Sequence, residues 1–127
     1  EINKINILNA SLLSMKRALL KLNKKPSIAY IDGPFAPKDV NIKCKTFIKG
    51  DEKITCISAA SIIAKASRDL FMIKLSKKYP MYGWHKNFGY GTSEHLQSLK
   101  KYGLTKLHRK KFKPIHNILI RKKRETL

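Results

Sequence analysis

Apolar residues recur near the start of the chain at steps of three and four: Ile5, Leu8, Leu12, Met15, Leu19 and Leu22. That spacing lines one face of an amphipathic helix. Pro26 ends it, because a proline nitrogen cannot donate to the helical ladder. Ile28-Ala29-Tyr30-Ile31 then reads as a short buried strand, stopped by the turn signal Asp32-Gly33-Pro34. A polar stretch runs to Asp39, after which Val40, Ile42, Cys44, Thr46 and Ile48 alternate as a second strand that leads into Lys49-Gly50-Asp51. The next helix begins Ile57-Ser58-Ala59-Ala60-Ser61-Ile62-Ile63-Ala64-Lys65 and continues through Ala66, Leu70 and Ile73 until Pro80. Its small residues allow close approach to a sheet. A Gly/aromatic loop from Met81 to Gly91 follows; Thr92 suits the cap of a helix Ser93 to Tyr102, and Gly103 its stop. From Leu104 the chain is basic, with a last apolar stretch at Ile115 to Ile120. With no repeat and no linker, helix–strand–strand–helix predicts part of an α/β domain.

Composition narrows the class. The chain has 127 residues, 43% of them hydrophobic, enough for a core and against a disordered tail. Its 28 Lys+Arg against 8 Asp+Glu give a formal charge of +20. Nucleic acid is the first polyanion to expect beside such a charge; a merely solvated basic surface is the alternative. Cys44 and Cys56 stand apart, which predicts reduced thiols in a cytoplasmic protein. His85, His95, His108 and His116 do not fall at zinc-ligand spacing with them. No apolar run suits a membrane span, and no signal peptide is visible. The first residue is Glu1 and it opens directly into a helical pattern, so the natural start is expected upstream.

Acidic residues are scarce, so those at strand ends draw notice. Asp32 and Asp51 lie 19 positions apart, each at the end of a predicted strand. Neighbouring strand ends can bring two carboxylates together, and such a pair repels itself unless a cation intervenes. Oxygen ligands favour Mg²⁺ or Mn²⁺, which can activate water against a phosphodiester. From spacing alone, ordinary turn chemistry is the simpler reading of both positions. Asp69 sits mid-helix beside Arg68, as an ion-pair partner or as a support for the site. The loop Trp84-His85-Lys86-Asn87-Phe88-Gly89-Tyr90-Gly91-Thr92 mixes cations with rings that can stack on sugars or bases. Trp84 and Phe88 read as core anchors, and Tyr90, between glycines, as a core ring or a ligand contact. His108-Arg109-Lys110-Lys111-Phe112-Lys113 is a phosphate-tracking patch or a solvated run, and Arg121 to Arg124 read as solvated.

Taken in order, these motifs resemble bacterial ribonuclease HII along nearly the whole chain. The matching stretches are Ile5-Asn6-Ile7-Leu8-Asn9-Ala10, Tyr30-Ile31-Asp32-Gly33, Ile48-Lys49-Gly50-Asp51, the helix Ile57 to Lys65, Arg68-Asp69, Tyr79-Pro80, Gly89-Tyr90-Gly91-Thr92, His95-Leu96 and His108-Arg109. The resemblance implies a ribonuclease H-like α/β fold, with four carboxylates that bind Mg²⁺ or Mn²⁺. It implies RNA/DNA hybrids or ribonucleotide-containing duplex DNA as substrate, and a monomer when complete. Two of the family's carboxylates fall on Asp32 and Asp51. The other two form an adjacent Asp-Glu pair in a segment of the type Asp-Glu-x-Gly-Arg-Gly, which this sequence lacks; its only Asp-Glu pair, Asp51-Glu52, lies elsewhere. The chain is therefore expected to be the C-terminal portion (1–127) of a single catalytic domain whose N-terminal strands are absent. The isolated piece is expected to be inactive, with strand edges and apolar faces exposed. The family's ribose-stacking tyrosine falls on Tyr90, while its Gly-Arg-Gly loop that senses the 2′-hydroxyl has no counterpart here. Lys49, Lys65, Lys86 and Arg109 are expected at phosphates, and Asp69 behind the site. Relatives often carry Lys where Phe88 stands and Ser where Lys111 stands. A non-catalytic basic nucleic-acid-binding module is the alternative function.

Overall fold

The amphipathic pattern at the start of the chain forms helix α1, Ile2–Lys21, in a computed structural model that describes residues 1–110, 112–113, 115–117 and 120. Lys111, the tail from Arg121 to Arg124 and part of the apolar stretch Ile115 to Ile120 therefore lie outside the described residues. The helix breaks once, at Asn6, where φ is 66° and ψ 173°. The Asn6 side chain accepts from Asn9 N at 3.0 Å. This is capping chemistry: a short side-chain oxygen satisfies an amide that has no carbonyl one turn earlier. The main run of α1 thus restarts at Asn6. Its apolar face is only half covered: Ile5, Leu12, Met15 and Leu19 are intermediate, and Leu8 and Leu22 are exposed.

The chain divides into two units, residues 1–65 and 66–127, with the boundary inside a long helix. In the first unit, β1 (Ile28–Asp32) pairs in parallel with β2 (Lys43–Phe47), setting Ile28 opposite Lys43 and Asp32 opposite Phe47. Ala29 and Ile31 are buried while Tyr30 and Asp32 are not, the alternation of a strand with one covered face. β2 starts three residues later than the alternating pattern predicts. Asp39 takes a left-handed φ of 55° and turns the chain, so Val40 and Ile42 precede the ladder. Gly33 N donates to Phe47 O at 2.8 Å, carrying the pairing one residue past β1. Then Lys49, at φ 55° and ψ 47°, tips the backbone into a one-turn helix that the sequence did not announce, α2 (Gly50–Lys53). Helix α3, Thr55–Lys78, follows. Ile57 in its first turn is buried, whereas Ile62 and Ile63 are each 67% exposed.

The second unit continues from α3 through a 3-10 turn (Pro80–Tyr82), α4 (Trp84–Asn87) and α5 (Ser93–Tyr102). Tyr82, Trp84, Leu99 and Ile115 form its core, with Met72, Leu75, Tyr79, Leu96 and Leu104 packed against them. The boundaries of α5 follow the sequence reading: Thr92 Oγ1 accepts from His95 N at 3.3 Å, and Gly103 ends the helix at φ 80°. The Tyr82 hydroxyl donates to Gly103 O at 3.0 Å.

Candidate functional site

The segments that carry the candidate carboxylates meet at one end of the parallel pair. Asp32 is the last residue of β1, and Asp51 lies in the one-turn helix that follows β2. What joins the two segments is a hydrogen bond: Gly50 N donates to Asp32 Oδ1 at 2.8 Å. Little room is left for a side chain at Gly50. A Cβ there would lie 2.7 Å from Ile57 Cδ1 and 3.1 Å from Phe47 Cβ. The bond fixes one oxygen of Asp32 and leaves Oδ2 with its accepting capacity. Both aspartates are exposed. Lys49 reaches Glu52, with Nζ 3.4 Å from each carboxylate oxygen. Lys65 is exposed on α3. Among the described residues no three or more His, Cys, Asp or Glu side chains are grouped to hold a metal ion.

In the second unit, Tyr90 is 58% exposed, and the Arg68 guanidinium lies 5.1 Å from its ring centroid. This is a cation–π contact that steadies one face of the ring. Arg68 also meets Asp69, Nη1 to Oδ1 at 3.8 Å, so the ion-pair reading of Asp69 stands. Lys86 is exposed on α4, and the Arg109 guanidinium lies 5.1 Å from the Phe112 ring centroid. Trp84 is the core anchor the sequence implies; Phe88 is only half-buried and takes a left-handed φ of 48°.

Sequence reasoning missed the polar cluster under Tyr90. His95 Nδ1 lies 2.8 Å from Tyr90 O, and His95 Nε2 lies 3.3 Å from His108 Nε2. Trp84 Nε1 donates to His95 Nε2 at 3.1 Å, and Asn87 Nδ2 to Tyr82 O at 2.7 Å. Burial and the neighbouring His95 hold the His108 imidazole below its ordinary 6.5. The only signal in the sequence was that both histidines fall in stretches resembling the family.

A family model described as ribonuclease HII matches residues 1–115. The chain belongs to the ribonuclease HII family. It is 60% identical over 119 residues to ribonuclease HII of Pelagibacter ubique, covering 94% of this chain and 64% of that protein. The ribonuclease HII of Cereibacter sphaeroides strain ATCC 17029 is 50% identical over 94% of this chain and 56% of its own length. That of Neisseria meningitidis serogroup B is 46% identical over 94% of this chain and 61% of its own. The chain thus spans roughly three-fifths of the curated ribonuclease HII relatives it matches. Helices with a small parallel sheet are consistent with the ribonuclease H-like α/β fold expected of the family. Among the described residues, no helix is long and apolar enough to cross a membrane.

Proposed function

We propose that this chain is the larger, C-terminal part of a ribonuclease HII catalytic domain. The whole protein is then an endonuclease that hydrolyses the RNA strand of RNA/DNA hybrids, including single ribonucleotides in duplex DNA, to leave 5′-phosphate and 3′-hydroxyl ends. The observation that carries this reading is the Gly50 N–H bond to Asp32 Oδ1, because it ties the Asp51 turn to the end of β1. Turn chemistry alone would not need the two segments joined.

Asp32 and Asp51 are hard oxygen donors and would hold one or two Mg²⁺ or Mn²⁺ ions. Two carboxylates fall short of an octahedral shell, so the site needs the adjacent Asp-Glu pair that the family carries and this chain lacks. The chain by itself does not cut. When bound, the metal would lower the pKa of the attacking water and stabilise the leaving oxygen. Tyr90 stacks on the ribose at the junction with the ring face that Arg68 leaves open, and Asp69 holds Arg68 in turn. Lys49, Lys65, Lys86 and Arg109 meet phosphates, and the charge of +20 steers the polyanion.

Charge alone would also suit a non-catalytic binding module, whose affinity would be indifferent to Mg²⁺ and to a ribose junction. The test is cleavage of a labelled DNA duplex carrying one ribonucleotide, with Mg²⁺ or Mn²⁺. It compares this chain with the full-length protein extended at its N-terminus. Cutting by the extended protein alone, abolished by Asp32→Asn, is the expected result. Binding by both without cutting by either would replace the enzyme by the module.

A further inference from the structure

Among the polar side chains of the second unit, His95, Asn87 and His108 are buried almost as deeply as its apolar core, at 4%, 6% and 7% exposure. Their hydrogen bonds permit one assignment of protons. Tyr90 O can only accept, so the His95 nitrogen 2.8 Å away, Nδ1, carries the hydrogen. A neutral imidazole has a single N–H, so His95 Nε2 is an acceptor, and the Trp84 indole N–H meets it at 3.1 Å. His108 has the opposite tautomer. Its Nδ1 accepts from Thr105 N at 3.0 Å, which leaves the hydrogen on Nε2, facing His95 Nε2 at 3.3 Å. Trp84 and His108 therefore both present donors to His95 Nε2, and a proton there would meet two hydrogens.

The bond at the other end of this chain falls on the segment bearing Tyr90. Its carbonyl also accepts from Thr92 N at 2.9 Å, and its N–H donates to Asn87 O at 2.8 Å. Gly89 N donates to Asn87 Oδ1 at 2.8 Å. The backbone is thus held from the core while the ring stands in solvent. We propose that His95 is a positioning residue for Tyr90: its Nδ1–H fixes the Tyr90 carbonyl and so the direction in which the ring is offered to substrate. His108 and Trp84 keep His95 in the only neutral tautomer that can make that bond. This rests on the reading of Tyr90 as the residue that stacks on ribose.

The test uses the full-length protein and a duplex with one ribonucleotide. An Asn amide nitrogen can take the place of His Nδ1, and a Gln amide nitrogen that of Nε2. His95→Gln should lower kcat/KM by roughly threefold to tenfold, the worth of one neutral hydrogen bond. His95→Asn should restore most of it. The fluorescence of Trp84, the chain's single tryptophan, checks that both variants are folded. Full activity in His95→Gln, or equal loss in both variants, overturns the proposal. Nitrogen-15 spectra of the imidazoles in the unmutated protein decide the bond without any variant. A slowly exchanging proton on His95 Nδ1 is expected, and a proton on His95 Nε2 overturns it. Full activity in Tyr90→Ala, or none in the unmutated protein, removes the stacking premise instead, a failure the imidazole spectrum tells apart.

Discussion

The two units use polar groups in opposite ways. In the first, Asp32 and Asp51 are exposed, and Asp32 receives Gly50 N–H while an oxygen stays open to a ligand. In the second, His95, His108, Trp84 and Asn87 are buried and their donors and acceptors are matched within the core. An exposed carboxylate costs little to keep and has charge to offer. A buried, fully matched network has nothing left to offer a ligand, but it fixes shape. The contrast predicts that altering an exposed carboxylate of the first unit removes chemistry and spares the fold, whereas truncating the apolar core of the second weakens the fold.

The sharpest challenge is Asp32→Asn. The Asn Oδ1 can still accept from Gly50 N, so the urea midpoint should barely move. Cleavage by the full-length protein should fall by at least about a hundredfold, since even supporting groups around a metal are worth up to that. A large loss of stability with modest loss of activity would reverse the comparison. Next comes Leu99→Ala in the second unit. Leu99 is 1% exposed, and its truncation should cost roughly 2–5 kcal/mol in urea unfolding followed by Trp84 fluorescence. A cost under 1 kcal/mol would mean that the core around Trp84 is loose.

Gly50→Ala should cost roughly 1–3 kcal/mol through overpacking against Ile57 and Phe47. Adding Ile57→Val removes the Cδ1 that the new methyl meets and should return part of the loss; no recovery would place the strain on Phe47 instead. The smallest effect is that of pH. Because burial lowers the His108 pKa, the unfolded chain takes up its proton at higher pH than the folded one. The stability it contributes is present above about 6.5 and is lost as pH falls through that value toward the folded pKa. Unfolding midpoints should therefore be lower at pH 5 than at pH 7.5, less so in His108→Gln. Equal pH dependence in the two proteins would clear His108 of the effect.

Periodicity made the long elements legible. Ile5 through Leu22 foretold α1, and the small-residue run from Ile57 foretold α3, because side-chain spacing repeats over many turns. The break at Asn6 is invisible to that pattern, since Ile5 and Leu8 keep helical spacing on either side of it. α2 and α4 span four residues each, too short to show a period. Asp32 could be picked out by its place after an apolar run, but its bond to Gly50 depends on how β1 and β2 align. The meeting of His95 and His108, 13 residues apart, depends on how α5 and the Thr105 turn fold back on Trp84. No local pattern encodes such a meeting.

The Tyr82 hydroxyl bond to Gly103 O makes a clasp at the neck of everything between them. Joining the two ends of a segment opposes fraying from either one and favours its opening as a unit. Amide protons from α4 through α5 should therefore exchange with solvent at a shared rate, as one cooperative block. Breaking the clasp with Tyr82→Phe should speed the whole block together, rather than the residues nearest the neck. The backbone that carries the Tyr90 ring then lasts as long as that block stays closed.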